Sequence, residues 1–268
     1  MEACTVDNMQ TALAELGVHA NTLTEEEKTI LEEQSFLLLE NLMDDVWLED
    51  VRNSYEALME EKYGPFRPET VGKPAADGAS RHFNAGTRRW FDMVSEGEVF
   101  ERMYTHPKVL AAVQHILKAD FKLHSVNGRD ALPGMGEQAL HTDTSARNPD
   151  EPYKLVNSAW LLDAFTEESG PTRIVPGTHN LKGEPKDYVN PQDDHPEQRL
   201  VHASAGSVFI FNCHLWHSGT KNRSASLRRA IHCAYGRRDY DQQPCQKERI
   251  RKSTYDRLLP AARYLLDV

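Results

Sequence analysis

Two residues near the middle of the chain, His141 and Asp143, carry side chains that bind metal ions and stand two positions apart. In an extended backbone successive side chains alternate between faces, so residues two apart project from the same face. One imidazole and one carboxylate would then converge on one point. Pairs with this spacing also arise by chance, because the chain contains 12 His and 41 acidic residues. A metal site therefore needs a third donor.

His217 offers that third donor, because it follows the apolar run Phe209–Phe211 and precedes a turn at Ser218 and Gly219. Two imidazoles and one carboxylate on one face of a metal ion leave coordination positions open, which suits non-haem Fe(II) and O₂ chemistry. Zinc accepts the same donors in catalytic sites that keep an open position. His214, three residues earlier, is a competing ligand. Its spacing along the sequence from Arg228, the arginine considered next, fits less well than that of His217.

An arginine lies eleven residues beyond His217, at Arg228, after a polar turn and at the start of an apolar run. A strand, a turn and a returning strand would bring its guanidinium back beside the metal site. A guanidinium can bind a carboxylate through two parallel hydrogen bonds, which suits the far end of a dicarboxylate such as 2-oxoglutarate. Arg229 would face the opposite way, and the spacing favours Arg228.

Together with further residues in the same order, these features resemble the phytanoyl-CoA dioxygenase family of Fe(II)/2-oxoglutarate oxygenases. The resemblance spans roughly residues 120–240 and rests on His141-Thr142-Asp143, Trp160, Gly170, Pro176-Gly177-Thr178-His179, His217-Ser218-Gly219, Asn222, Ser224 and Arg228. It implies a mainly β fold with flanking helices, built on a double-stranded β-helix (jelly-roll) core.

The resemblance also implies a role for each of six residues. The iron ligands would be His141, Asp143 and His217. The residues at the 2-oxoglutarate cosubstrate would be Arg228, which binds its distal carboxylate, Gln138 and Trp160.

The sequence departs from some relatives two positions after the distal histidine, where Gly219 stands in place of a hydroxyl residue that assists the arginine. Ser218 and Thr220 flank this position, and the sequence leaves open which of them assists Arg228. A halogenase of this kind has a small residue at the position of Asp143, so the carboxylate indicates hydroxylation. Desaturation, ring closure and epoxidation stay open.

The resemblance therefore implies a dioxygenase that uses Fe(II), 2-oxoglutarate and O₂ to hydroxylate an unactivated C–H bond, with release of succinate and CO₂. The alternative is a jelly-roll protein that binds a metal or a carboxylate without turnover, as a sensor or carrier. A zinc hydrolase with the same three ligands is a weaker alternative, because the sequence shows no evident general base at a spacing that would place it beside these ligands.

Hydrophobic periodicity and capping residues predict that the first part of the chain is mainly helical. Helices are predicted from Thr24 through the apolar residues up to Leu39, over about residues 44–62, and from Pro107 to Leu117. Residues 65–90 are predicted to be a loop. Short β-rich runs then follow at 121–126, 155–162, 173–175, 207–211 and 229–235, and a last helix is predicted over 254–266.

The chain shows no internal repeat and no linker long enough to separate two domains. We expect a single oxygenase domain over residues 1–268. Its parts would be a helical region with a lid (1–119), a jelly-roll core with the metal site (120–240) and a helical end (241–268).

Composition and charge exclude several classes of function. The formal net charge of −10 argues against nonspecific electrostatic binding to nucleic acid or anionic lipid. The expected partner is therefore a small molecule. No apolar run approaches the length of about 18 residues that spans a bilayer, and the N-terminus lacks a secretory signal. Four scattered cysteines indicate reduced thiols. We expect a cytoplasmic protein.

Several arginines stand in the predicted lid and beside the first metal ligands and could favour a polar or anionic substrate: Arg81, Arg88, Arg89, Arg129 and Arg147. The competing interpretation is that they pair with the many carboxylates of an acidic protein. The substrate is expected to be a small, polar metabolite.

Overall fold

A computed structural model of the chain describes residues 6–68 and 86–268. The helices within these residues are α1 (Met9–Glu15), α2 (Glu25–Gln34), α3 (Asp45–Tyr63), α4 (Glu101–Tyr104), α5 (Pro107–Leu117), α6 (Gln246–Arg249), α7 (Lys252–Arg257) and α8 (Pro260–Leu266). Short 3₁₀ turns cover Glu98–Phe100, Thr178–Asn180 and Pro185–Asp187.

The strands form two antiparallel sheets. They are β1 (Phe36–Leu39), β2 (Thr87–Trp90), β3 (Phe121–Ala131), β4 (Leu155–Leu161), β5 (Thr172–Val175), β6 (Arg199–Val201), β7 (Val208–Asn212), β8 (Trp216–Gly219) and β9 (Arg228–Arg237). The larger sheet has the order β1-β7-β4-β9-β3-β2, and the smaller sheet has the order β6-β5-β8. The larger sheet provides one wall of the cavity described below.

The larger sheet is covered on both faces. One face packs on the helices through residues such as Trp160 and Ile210, which belong to the largest apolar cluster. The other face turns toward the smaller sheet, where Phe209 and Phe211 share a second cluster with Ile174 of β5. Because side chains alternate along a strand, each central strand supplies both clusters. The site lies between the two sheets.

Four of the observed strands lie outside the predicted β-rich runs: β1, β2, β6 and β8. The apolar run Phe36–Leu39 was predicted to continue a helix, but α2 ends at Gln34 and Ser35 adopts a left-handed conformation (φ 62°). Phe36–Leu39 then pairs with β7 at the edge of the larger sheet. Likewise, Thr87–Trp90 lies in the predicted loop and pairs with β3. The rest of that loop, residues 69–85, lies outside the described residues.

The other predicted elements differ from the observed ones mainly at their ends. The helix after Asp44 is α3, and Asp44 caps it by accepting a hydrogen bond from the Trp47 amide. The predicted C-terminal helix is interrupted, because Leu259 is extended before Pro260 and a proline disfavours helical geometry in the residue that precedes it. The chain therefore ends in two short helices, α7 and α8.

A buried ion-pair network ties α3 to the strands on the helix side of the larger sheet. Arg88 of β2 lies 2.7 Å from the carboxylate of Asp130 on β3 and 3.1 Å from Glu56 of α3. The hydroxyl of Tyr55 donates a 2.6 Å hydrogen bond to Asp130. Charged groups buried in this way need partners, and here each of them has one.

His106 caps α5 in its neutral form, and this makes stability depend on pH. Its Nδ1 accepts a hydrogen bond from the Lys108 amide, and its ring stacks on Trp47 at 6.3 Å between centroids. Burial, together with the charges of Arg102 and Lys108, lowers the pKa of His106 from 6.5 to about 4. As the pH falls below 6.5, the unfolded chain takes up this proton first, so the folded state loses stability between pH 6.5 and pH 4.

We expect His106 to lower the free energy of unfolding by about 1 kcal/mol at pH 5, a value reduced because the ring is partly accessible. Urea unfolding of wild type and His106→Asn at pH 7.5 and pH 5 measures this. Asparagine keeps the capping acceptor and cannot titrate, so the variant should lose less stability on acidification. His202→Asn, at an exposed position, is the matched control. Equal losses in wild type and His106→Asn would contradict the expectation.

Within the described parts of the chain, no helix is both long enough and apolar enough to cross a bilayer.

Candidate metal centre

The three residues proposed as ligands lie together at one end of the cavity between the sheets. The Nε2 atom of His141 is 3.6 Å from Oδ1 of Asp143, and the Nε2 atom of His217 is 3.5 Å from Oδ2 of the same carboxylate. One donor atom from each residue lies within 4.8 Å of the other two. This cluster brings together all three donors predicted from the sequence.

Backbone pairing brings the two segments together. His141 and His217 form an antiparallel bridge, with each amide donating to the carbonyl of the other at 3.0 Å. The amide of Asp143 donates to the carbonyl of Cys213, just beyond β7. The side-chain amide of Asn157 donates to Oδ2 of Asp143 at 3.2 Å. The positions of the ligands are therefore set by the main chain, and Asn157 orients the carboxylate.

Both histidines present the nitrogen that a metal requires. Nδ1 of His141 lies 2.8 Å from the carbonyl of Ala139, and Nδ1 of His217 lies 2.8 Å from the carbonyl of Leu215. A carbonyl only accepts hydrogen bonds, so Nδ1 carries the proton in each ring. In the neutral form the lone pair is then on Nε2, the atom that faces Asp143.

The charges at the centre favour an ionised carboxylate. Burial raises the pKa of the Asp143 carboxyl, but His217 and His141 outweigh burial and hold the pKa well below its usual range. Burial lowers the pKa of His217, but the charge of Asp143, the hydrogen bond to Asp143 and the hydrogen bond to the Leu215 carbonyl together raise it by more. The carboxylate of Asp143 is therefore ionised and available to a cation.

His214, the competing ligand, lies apart from the cluster. It is buried, its amide donates to Oδ1 of Asn212, and its ring packs beside Tyr153 at 6.0 Å between centroids. Burial is the main cause that lowers the pKa of His214 to about 4. We describe it as a neutral histidine of the structural core.

The two neighbouring arginines at the start of β9 have different surroundings. Arg229 forms an ion pair with Asp163 at 2.8 Å and with Glu56 at 3.3 Å, on the helix side of the sheet. Arg228 is buried, and its Nη1 atom has no hydrogen-bond partner among the described residues. Burial lowers the pKa of Arg228 to about 10. Of these two neighbours, Arg228 is the one that forms no ion pair among the described residues.

Arg228 and Gln138 lie side by side next to Gly219, and Gln138 and Gly219 line the cavity. A Cβ atom at Gly219 would lie 3.2 Å from Nη2 of Arg228 and 3.2 Å from Oε1 of Gln138. This Oε1 accepts a 3.2 Å hydrogen bond from the Gly219 amide, so the Gln138 NH₂ group is left to donate elsewhere. A glycine at position 219 gives these two side chains the space that they occupy.

Neither of the two hydroxyls considered from the sequence contacts Arg228. The Ser218 hydroxyl accepts a 2.6 Å hydrogen bond from Nε of Arg173, and the Thr220 hydroxyl donates to the carbonyl of Pro171 at 2.6 Å. Thr172 is a hydroxyl residue of the cavity wall that the sequence did not single out. It pairs with Gly219 across β5 and β8, and it lines the cavity.

The assignment of Trp160 to the cofactor pocket is corrected by the structure. On β4, Asn157 and Ala159 line the cavity, so Trp160 points to the helix side. There its ring packs against Trp47 and His106, at 5.4 Å and 5.8 Å between centroids. Trp160 supports the sheet from behind and does not line the site.

The cavity that contains the centre has a volume of about 290 Å³. Its wall includes His232, which alternates with Arg228 along β9, and two of the arginines singled out from the sequence, Arg89 and Arg129. Arg147 has a structural role, because its guanidinium donates to main-chain carbonyls and packs over Tyr153. Arg88 pairs with Asp130 and Glu56, as described above, and Arg81 lies outside the described residues.

Several curated relatives of this chain are dioxygenases by name. Dioxygenase trt7 of Aspergillus terreus is 26% identical over 224 residues, which cover 80% of this chain and 73% of that protein. The peroxisomal phytanoyl-CoA dioxygenase of Homo sapiens is 25% identical over 242 residues, which cover 82% and 70% of the two chains.

Among solved structures, HygX from Streptomyces hygroscopicus with nickel and 2-oxoglutarate bound matches with a TM-score of 0.66 at 18% identity. The match covers 83% of this chain and 90% of HygX. HygX has also been solved with iron, and with nickel, 2-oxoglutarate and hygromycin B. At this identity the likeness shows the fold, and the predicted jelly roll with flanking helices is confirmed.

The sequence model of the family described as phytanoyl-CoA dioxygenase (PhyH) matches residues 31–230. The predicted family and the predicted class of enzyme, a dioxygenase, are confirmed by this match and by the named relatives. The chain belongs to the phytanoyl-CoA dioxygenase family.

Proposed function

We propose that this protein is an Fe(II)- and 2-oxoglutarate-dependent dioxygenase that hydroxylates an unactivated C–H bond of a small, polar metabolite. Succinate and CO₂ would be the products formed from the cosubstrate. One observation carries the proposal: three metal-binding side chains line a cavity together with Gln138 and Gly219, and beside these two lies the buried Arg228, whose Nη1 has no partner among the described residues. The first feature fits a metal ion, and the second fits the far end of a dicarboxylate.

The donor set suits Fe(II). Two imidazoles, each with its lone pair on Nε2, and one ionised carboxylate form the combination that non-haem iron oxygenases use with open positions. His141, Asp143 and His217 would hold the ion. Zinc accepts the same donors. The named dioxygenase relatives favour iron for this chain.

The surroundings of Arg228 suit 2-oxoglutarate. The guanidinium of Arg228 packs over the ring of Phe165, with Cζ 5.0 Å from the centroid, and retains an unpartnered Nη1. A buried cation without a counter-charge is costly, and a carboxylate would relieve that cost through paired hydrogen bonds. Gln138 would add a donor from its NH₂ group.

When bound, iron and 2-oxoglutarate supply the oxidant, and O₂ is the source of the oxygen atom. The chain's own residues hold and orient these groups. Arg228 and Gln138 would fix one end of the cosubstrate, and the main-chain bridge between His141 and His217 would keep two ligands in register. Phe211 and Ala159 give the cavity an apolar wall that keeps water from the reacting atoms.

The test is an anaerobic titration of the Fe(II)-loaded protein with 2-oxoglutarate, followed in the visible spectrum. Bidentate chelation of iron by the cosubstrate should produce a weak metal-to-ligand charge-transfer band that saturates. Iron-loaded protein that shows no band would contradict the proposal. The non-catalytic metal or carboxylate binder would then be the better description.

A further inference from the structure

A β-bulge in β3 brings two consecutive side chains to the wall of the cavity. Leu123 pairs with Tyr235 of β9, and Ser125 pairs with Ala234. Between these two pairs β3 therefore carries one extra residue, His124. Side chains of a regular strand alternate between faces, yet His124 and Ser125 both line the cavity. Bulges redirect side chains in this way and are frequent beside active sites.

His124 has hydrogen-bonding capacity that the described residues leave unused. Its Nδ1 atom lies 3.3 Å from the Ser125 hydroxyl, whereas its Nε2 atom makes no hydrogen bond within residues 6–68 and 86–268. Burial, partly offset by the charge of Asp143, lowers the pKa of His124, so the ring is neutral at pH 7. When the Ser125 hydroxyl donates to Nδ1, the ring proton is on Nε2 and is free to be donated to a ligand.

The chain beyond β9 adds a second polar side chain, Gln243, to the same part of the wall. Its main-chain amide donates to the His124 carbonyl at 3.1 Å, and its Oε1 accepts a 2.9 Å hydrogen bond from Nδ2 of Asn127. Oδ1 of Asn127 in turn accepts from the Asp92 amide at 3.1 Å. These bonds fix the orientation of both side-chain amides, and the Gln243 NH₂ group is left without an acceptor among the described residues.

His124, Ser125 and Gln243 form what we call the polar end of the cavity, and the strand register separates it from Arg228. Ala131 of β3 pairs with Arg228, and Ser125 pairs with Ala234. These two rows are six residues apart on each strand, which corresponds to about 20 Å at about 3.4 Å per residue. The polar end is thus distinct from the surroundings of Arg228 that we assign to 2-oxoglutarate.

The row that contains Ser125 also reaches the metal centre. On β4, Asn157 pairs with Ala234, so Ser125, Ala234 and Asn157 form one row across three strands. Asn157 donates to the Asp143 carboxylate, and its buried Oδ1 has no partner among the described residues. Neighbouring strands are about 4.8 Å apart, so the row spans about 10 Å. A small molecule above Ala234 would therefore contact the polar end and also reach the metal centre.

The polar end carries no charged side chain among the described residues. The charged residues of the described cavity wall are Arg89, Arg129 and Asp143. On β3, Arg129 is four residues from Ser125, or about 14 Å along the strand. A buried anion would lose its hydration here without gaining a counter-charge, whereas a neutral oxygen needs only a hydrogen-bond donor.

We propose that the polar end binds an uncharged oxygen of the substrate, a carbonyl or a hydroxyl, through His124 and Gln243, and that these two residues determine specificity. The inference rests on the proposed function, because it treats the space above Ala234 as the substrate site. Gln243 lies beyond residues 31–230 that match the family model, so this contact is specific to the chain outside that match. Hydrogen bonds at the polar end would hold the substrate with a C–H bond close to the metal centre.

The test is a ¹⁹F NMR titration of the protein loaded with Zn(II) and 2-oxoglutarate, using three uncharged probes of similar shape. These are 4-fluoroacetophenone with a carbonyl, 1-(4-fluorophenyl)ethanol with a hydroxyl, and 4-fluoro-α-methylstyrene with neither. At least one of the first two should bind at least about fivefold more tightly than the styrene. Preference for the ketone would identify a carbonyl substrate, and preference for the alcohol a hydroxyl substrate.

Two variants locate the contact. Gln243→Met and His124→Phe keep the bulk of each side chain, and phenylalanine also keeps a ring beside Tyr240. Each variant should weaken binding of the preferred probe by at least about fivefold and leave binding of the styrene unchanged. Gln10→Met, at an exposed position on α1, is the control and should keep the preference. Equal binding of all three probes, a preference that survives both variants, or no binding of the ketone and the alcohol at millimolar concentrations would each overturn the inference.

A separate measurement distinguishes failure of this inference from failure of the proposed function. The charge-transfer titration with 2-oxoglutarate is repeated on Gln243→Met and His124→Phe. A midpoint within about twofold of that of wild type supports a substrate role, because the polar end is about 20 Å along the strands from the row of Arg228. A midpoint raised by more than about tenfold would assign that residue to the cosubstrate and overturn the inference alone. A band missing from wild type would overturn the proposed function itself.

Discussion

Asp143→Ala is expected to abolish tight Fe(II) binding and to lower 2-oxoglutarate turnover by well over about 100-fold. Even the loss of an outer hydrogen-bond partner of a metal ligand costs 10–100-fold in affinity or activity, and Asp143 would be the only charged ligand. Its carboxylate is held ionised by His217 and His141, so the variant removes a full negative charge from the centre. Iron content after gel filtration, and succinate release, measure the two effects.

The same measurements on His141→Ala and His214→Gln test which histidines are ligands. His141→Ala should behave like Asp143→Ala, because its Nε2 atom belongs to the cluster. His214→Gln should keep its iron, since His214 packs beside Tyr153 and takes no part in the cluster. If His214→Gln loses iron while His217→Ala keeps it, the distal ligand has been assigned to the wrong residue.

The metal centre could be predicted from the sequence because its determinants are local. His141 and Asp143 are two residues apart, and His217 is marked by the apolar strand before it and the Ser-Gly turn after it. The choice between Arg228 and Arg229 was also local, because neighbours on a strand point to opposite faces. In the structure, Arg229 pairs with Asp163 on the helix side, whereas Nη1 of Arg228 has no partner among the described residues.

The orientation of Trp160 could not be predicted in the same way. All seven residues of β4 are buried, because both faces of this central strand are covered. An alternation of apolar and polar residues shows which side chains share a face only where one face of the strand is polar. The sequence of β4 therefore does not show which of its residues point to the cavity. Only the pairing of β4 with its neighbours shows that Asn157 and Ala159 face the site and that Trp160 faces the helices.

The wall of the cavity near β2 depends on contacts between distant parts of the chain. Arg89 and Arg129 are forty residues apart, and they meet only because Thr87–Trp90 joins the edge of the larger sheet. Phe36–Leu39 likewise becomes a strand through pairing with β7, although its composition also suits a helix. Tertiary pairing decides between the two structures for short apolar runs, and the sequence of the run alone does not.

Arg228→Gln is expected to raise the concentration of 2-oxoglutarate needed for half-saturation by about 100-fold, while Fe(II) still binds. Charge-assisted hydrogen bonds contribute about 1.5–3 kcal/mol each, and the loss of about 3 kcal/mol corresponds to a factor of about 160. The effect should be specific to the cosubstrate, because Arg228 lies beside Gln138 and Gly219 and is not one of the three metal-binding residues. The charge-transfer titration measures the midpoint directly, without a known substrate.

Arg229→Gln is the matched control, since it removes the same charge from the neighbouring position. Arg229 pairs with Asp163 and Glu56 on the helix side of the sheet, so its loss should lower the free energy of unfolding and leave the 2-oxoglutarate midpoint within about twofold. Arg228→Lys should fall between wild type and Arg228→Gln, because a lysine keeps the charge and loses the paired hydrogen bonds. A raised midpoint in Arg229→Gln with a normal one in Arg228→Gln would mean that the register of β9 is shifted by one residue.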